Sequence, residues 1–145
     1  MTSNNIRSIL LVDDDEISNL FNRIFIRKLN LDIEVEIASN GKDALDFLEK
    51  VNINATSDSN QFPCLLLLDI KMPKMNGWQF LKAFENNFSQ AMRNNIVIVM
   101  LTTSQDEGDM IEAINNPIVK KFIQKPLSEE KFTQLIGTYF TNTNS

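Results

Sequence analysis

Histidine is missing from all 145 residues of the chain. Its absence excludes Ser-His-Asp hydrolysis and most zinc centres, and the chain has no side chain on which to carry a phosphohistidine of its own. Cysteine occurs once, at Cys64, so no disulfide closes within the chain, which suits a reducing compartment. Cys64 sits in an apolar run with no histidine to activate its thiol, and reads as a small buried hydrophobe. Positive charge is also short. Lys and Arg number 14 against 19 Asp and Glu, for a net charge of −5 and a pI near 4.7, which leaves no basic footprint for nucleic acid. The N-terminal MTSNNIRS lacks the apolar stretch of a signal peptide, and no apolar run approaches the roughly 20 residues of a membrane span. The absences together predict an acidic, cytoplasmic protein with neither nucleic acid nor membrane among its partners.

What is present suffices for one packed domain. The chain is 43% apolar, and at this length roughly two thirds of the unfolded chain's surface is removed from water on folding. Apolar runs and helical patterns alternate along it. Ile9–Val12 is a short continuous apolar run, as in a strand covered on both faces. Ile17, Leu20, Phe21, Ile24, Phe25 and Leu29 recur three and four apart and make one apolar helical stripe. Residues 33–37 (IEVEI) alternate strictly, which predicts an edge strand with one wet face. Asn40 is placed to cap a second helix with Leu45, Leu48 and Val51 on its apolar side. Residues 52–61 are polar and read as a loop.

Cys64–Leu68 is the most hydrophobic strand, and a helix marked by Phe80, Leu81, Phe84 and Phe88 follows Asn76-Gly77. Residues 89–95 form a polar connection to a fourth strand, Ile96–Leu101. Ser104 and Glu107 make a capping-box pattern for the fourth helix, which continues through Met110, Ile111 and Ile114. Val119–Ile123 is the fifth strand. Ser128 caps the fifth helix, whose face is Phe132, Leu135, Ile136, Tyr139 and Phe140. The terminal TNTNS reads as frayed. Five strand–helix units predict an α/β domain with a parallel sheet, helices on both faces and right-handed crossovers. The expectation is a single domain over residues 1–145 with its core at about 7–140 and short disordered termini.

The chemically capable residues fall at one kind of place. Asp13, Asp14 and Asp15 follow the first strand, Asp69 ends the third, Thr102 and Thr103 end the fourth, and Lys125-Pro126 follows the fifth. In an open parallel sheet these points share one edge, where ligands bind at the switch in winding direction. Asp15 reads as a helix cap or first-turn acid. Two like charges about 4 Å apart repel by about 4 kcal/mol at an effective dielectric of about 20. Lys125 brings one positive charge, too little for the acids around it. A hard divalent cation makes up the difference, and magnesium suits one or two carboxylates plus a phosphate. The residues therefore describe a small magnesium site beside a nucleophilic or phosphate-bearing carboxylate.

Leu10–Asp15 (LLVDDD), Leu66–Gly77 (LLLDIKMPKMNG), Leu101–Ser104 (LTTS) and Lys125-Pro126 resemble the receiver domain of bacterial response regulators, in order and with suitable spacing from about residue 7 to 140. The chain is similar to the stand-alone, CheY-like chemotaxis-regulator type. The resemblance implies a flavodoxin-like, doubly wound (βα)5 fold with sheet order 2-1-3-4-5. It implies a signalling phosphoacceptor that catalyses only its own phosphorylation and dephosphorylation, with Mg2+ as cofactor. Asp69 matches the phosphoacceptor. Asp13 and Asp14 match the acidic pair that holds magnesium together with Asp69, and Lys71 matches the position whose backbone carbonyl is a further ligand. Thr102 matches the hydroxyl that contacts the phosphoryl group and Lys125 the lysine that pairs with it. Pro126 matches a proline often preceded by a cis bond. Thr102 and Phe122 match the switch pair; Phe122 is often Tyr in relatives, so a readout through a ring hydroxyl is not open to this chain. Lys71 and Ser104 match positions that tune the phosphate's lifetime.

The partners implied are a sensor histidine kinase or histidine phosphotransfer protein and a separate downstream protein. Phosphorylation would switch a face built from the fourth helix, fifth strand and fifth helix, which could also form a phosphorylation-dependent homodimer. Three alternatives fit the residues less well. Haloacid-dehalogenase-like phosphatases need Asp-x-Asp where this chain has Asp69-Ile70-Lys71. A receiver-like module that is never phosphorylated usually lacks an acid or the lysine. A flavodoxin-like flavin protein wants a hydroxyl-rich loop where this chain has three aspartates.

Overall fold

The computed structural model describes residues 5–53, 61–102 and 107–140. Five strands, β1 (Ser8–Val12), β2 (Glu34–Ala38), β3 (Cys64–Asp69), β4 (Ile96–Thr102) and β5 (Val119–Gln124), form one sheet. Its order is β2-β1-β3-β4-β5, and every pair is parallel. The expected doubly wound α/β sheet of order 2-1-3-4-5 is thus present. β1 and β3 are buried along their whole length, as their unbroken apolar sequence requires. β2 lies at an edge and alternates between exposed Glu34 and Glu36 and half-buried Val35 and Ile37.

Among the described residues six helices cover the sheet: α1 (Glu16–Lys28), α2 (Gly41–Ile53), α3 (Gly77–Asn87), α4 (Gln90–Arg93), α5 (Glu107–Asn115) and α6 (Glu129–Tyr139). Alternate side chains of each central strand point to opposite faces. Leu10, Val12, Cys64, Leu66, Leu68, Ile98 and Met100 enter a core shared with α2, α3 and α5. Ile9, Leu11, Leu65, Leu67, Val99 and Leu101 enter a second core, closed by α1 and α6 through Ile26, Phe132, Leu135 and Ile136. Cys64 is 1% exposed, and burial pushes its thiol up to about 11; it is the inert hydrophobe expected.

The caps follow the sequence. Asp15 accepts the Ile17 N–H, Asn40 that of Asp43, Asn76 that of Gln79 in a full capping box, and Ser128 that of Lys131. The capping pattern at Ser104 lies outside the described residues, as do Thr103 and most of the 52–61 segment.

Three features depart from the sequence reading. α2 runs on to Ile53, so the polar segment does not begin at residue 52. Residues 89–95 are not all connection: Ser89 caps the one-turn helix α4, and Met92 is buried beneath it. The apolar stripe of α1 packs inward only at its C-terminal end, where Phe25 and Leu29 lie half-buried against the second core. Ile17, Leu20 and Phe21 are 65%, 57% and 51% exposed, whereas Asn19, Asn22 and Ile26 face inward. No described helix is long and apolar enough to cross a membrane.

Candidate functional site

The parallel strands end together, and their C-terminal residues gather at one rim. At the end of β1, Asp13 is 3% exposed and tied on every side. Its N–H donates to the Ala38 carbonyl at 3.0 Å. Its Oδ1 accepts the Asp15 N–H at 2.9 Å, and its carbonyl accepts Asn19 Nδ2 at 3.0 Å. Its Oδ2 forms a hydrogen-bonded ion pair with Lys125 Nζ. Asp14 is exposed. Asp69 ends β3, 9% exposed, with Lys125 Nζ 3.7 Å from its Oδ2.

Carboxylate oxygens of Asp13, Asp14 and Asp69 all lie within 4.8 Å of one another. With one lysine against three carboxylates, the fully ionised cluster carries a net charge of −2. The Asp69 carboxyl responds to this setting. Burial first, then the negative charge of Asp13, raises it from 3.8 to about 6, against the opposing pull of Lys125. Desolvation and a like-charge neighbour both disfavour the ionised form. A hard cation at the three oxygens would reverse that balance, and the all-oxygen donor set is the kind magnesium prefers.

The remaining predicted residues are placed as follows. Thr102 ends β4, 3% exposed, and its carbonyl accepts the Lys125 N–H at 2.8 Å, which fixes the lysine's backbone against the strand that carries the hydroxyl. The Lys125-Pro126 peptide is cis. Lys71 is exposed two residues past Asp69. Phe122 is not part of the cluster. It lies beside Met100 on β5, half-buried against the α2–α3–α5 core. Ser104 lies outside the described residues.

The sequence reading passed over two residues that shape the rim. Gly77 is one: its N–H donates to the Ile70 carbonyl at 2.8 Å, and a Cβ there would stand 2.7 Å from the Asp69 carbonyl oxygen. α3 can start this close to Asp69 only on a glycine. The second is Asn19. Its signal was an asparagine, a weak helix former, one turn beyond an Asp-Asp pair.

Comparison with known proteins agrees with this geometry. Residues 9–137 match the response regulator receiver domain family, and the chain belongs to that family. It is 30% identical over 128 residues to the probable methanogenesis regulatory protein FilR2 of Methanothrix harundinacea, covering 88% of this chain and 77% of that one. It is 30% identical over 134 residues to the chemotaxis protein CheY1 of Helicobacter pylori, covering 90% and 97%. Among solved structures, a two-component response regulator from Cytophaga hutchinsonii superposes with a TM-score of 0.78 at 29% identity, covering 93% of this chain and 97% of that one. Some relatives are longer: the chain spans 49% of one that is 26% identical over 129 residues. The protein is a receiver domain of two-component signalling, with CheY-like relatives and structural neighbours.

Proposed function

We propose that the domain accepts a phosphoryl group on Asp69 from a phosphohistidine of another protein, in the cytoplasm, and that the acyl phosphate changes a protein-binding face. The observation that carries this reading is the near-buried Asp69 carboxylate, set at the end of the central strand between two further acids and Lys125. A carboxylate oxygen of Asp69 attacks phosphorus in line as the P–N bond to the donor imidazole breaks. Lys125 stays beside the new acyl phosphate, and the Thr102 hydroxyl stands at the adjoining strand end to meet a phosphoryl oxygen. Asp13, Asp14, Asp69 and the Lys71 carbonyl would hold Mg2+, which when bound offsets charge on the transferring oxygens.

Two faces adjoin this rim. Exposed Ile17 and Phe21 border a cavity of about 400 Å3 whose wall includes Phe25, Lys125, Pro126 and Leu127, an apolar seat for the donor beside the acceptor. On the other flank, α5 exposes Met110, Ile111 and Ile114 next to β5. With α6 these form the output face, for a downstream protein or a phosphorylation-dependent second copy. Phe122 pairs across the sheet with Met100, two residues before Thr102 on β4. Intact-mass spectrometry after incubation with Mg2+ and a small phosphodonor tests the acceptor. A gain of one phosphoryl group that requires magnesium and vanishes in Asp69→Asn supports the reading. No gain under conditions that modify another receiver domain favours a module that binds partners without being phosphorylated.

A further inference from the structure

α1 turns two asparagines toward the sheet and three large apolar side chains toward water. Asn19 is 6% exposed. Its Nδ2 donates to the Asp13 carbonyl at 3.0 Å, and its Oδ1 is buried without a hydrogen-bond partner. The amide cannot be turned over, because Oδ1 would then face another acceptor. A buried group with one bond made and one acceptor left empty is a poor source of stability. An apolar residue would serve the core better, so the use of Asn19 lies in the bond it makes.

That bond falls on the peptide between Asp13 and Asp14. The Asp13 side chain is already held, by the Asp15 N–H and by Lys125. Asp14 is exposed, and among the described residues no hydrogen bond or ion pair holds its carboxylate. Its direction is therefore set by the Asp13–Asp14 peptide plane, and Asn19 is the side chain that fixes the plane from below.

We propose that Asn19 is a positioning residue: its buried carboxamide orients the Asp13–Asp14 peptide so that both carboxylates face one cation. This rests on the reading of Asp13, Asp14 and Asp69 as a magnesium site. Outer groups that orient metal ligands typically change affinity by about 10- to 100-fold when removed. Asn22 is the internal control. It is equally buried on the same helix, and among the described residues no hydrogen bond joins it to residues 13–15.

The test is titration calorimetry of the full chain with MgCl2, with thermal unfolding of the same metal-free samples. The proteins are the parent, Asn19→Leu, Asn19→Ala and Asn22→Leu. The expected result is a magnesium Kd about tenfold weaker in both Asn19 variants, with Asn19→Leu at least as heat-stable as the parent and Asn22→Leu binding like the parent. Two results overturn the proposal alone: Asn19 variants that are folded and bind within about twofold of the parent, or an equal loss in Asn22→Leu. A parent that takes up no magnesium removes the reading of the acidic cluster, and the proposal with it.

Discussion

α1 and α3 are close in length, and both carry apolar residues three and four apart, yet α3 buries its stripe along its length and α1 only toward its C-terminal end. α3 buries its stripe: Phe80, Leu81 and Phe84 are nearly inaccessible, and the Phe80–Phe84 and Phe84–Phe88 rings lie 5.8 and 5.6 Å apart. α1 holds on to the sheet by Ile26, half-buried Phe25 and two asparagines, with Leu29 packing just past its end, and leaves Ile17, Leu20 and Phe21 in water. Both helices begin at the rim of the acidic cluster, α3 through Gly77 against Asp69 and α1 through Asp15 beside Asp13. One flank of the site is packed for stability. The other trades packing for a polar tie beneath the acids and an apolar surface beyond them. Periodicity shows which residues share a face, but not which face meets the core.

The sharpest way to test this contrast is to truncate an aromatic on each helix. Phe84→Ala should cost about 3–5 kcal/mol in urea unfolding, because the site is enclosed by strand and helix and cannot collapse. A loss below about 1 kcal/mol would mean that α3 does not carry its side of the core.

The rim between the two helices gives the next effect. The Asp69 carboxyl is raised in the folded state, from 3.8 to about 6, so the native protein binds this proton more tightly than the unfolded chain. The ionisation penalty is absent below about 3.8 and fully present above about 6, and stability falls as pH rises through that interval. Asp69→Asn removes the penalty. In metal-free buffer near neutral pH it should raise the unfolding free energy by roughly 2 kcal/mol, and the advantage should fade as pH is lowered toward 4. A variant no more stable than the parent above pH 6 would mean that Lys125 fully compensates the burial of this carboxylate.

Much of this was legible from residue order. Unbroken apolar runs marked β1, β3 and β4 because a strand covered on both faces has no polar side to show. Asp15, Asn40 and Ser128 announced their helices because an unpaired N-terminal N–H needs a short polar acceptor. The acids, Thr102 and Lys125 could be grouped because parallel strands deliver their ends to one edge. α4 was hidden because its four residues are too few to show a period. The inward side of α1 was hidden because Asn19, Asn22 and Ile26 also recur at helical spacing, and a stripe of asparagines does not register as core. The role of Gly77 depended on a distance to Asp69, which only the folded chain supplies.

The caps at the two helix starts offer a smaller effect. Asn76→Ala removes the side-chain arm of the α3 capping box, in which Oδ1 accepts the Gln79 N–H, and leaves the backbone N–H of residue 76 to the Gln79 side chain; it should cost about 1 kcal/mol, read as a lower urea midpoint with an unchanged slope. A midpoint equal to the parent's would show that packing of Phe80 and Phe84 alone sets where α3 begins.

The smallest expected change is the most informative about α1. Phe21 is 51% exposed, and Phe and Ser differ little in helix propensity. Phe21→Ser should leave the unfolding free energy within about 0.5 kcal/mol of the parent and leave modification of Asp69 by a small phosphodonor unchanged. The substitution removes apolar surface beside the cavity at Lys125 and Pro126, so transfer from a protein donor seated there should slow. A loss of more than about 1 kcal/mol would mean that the stripe of α1 is buried in solution and that the contrast with α3 is false. Unchanged stability with unchanged transfer from the protein donor would keep the contrast and remove the donor from this face.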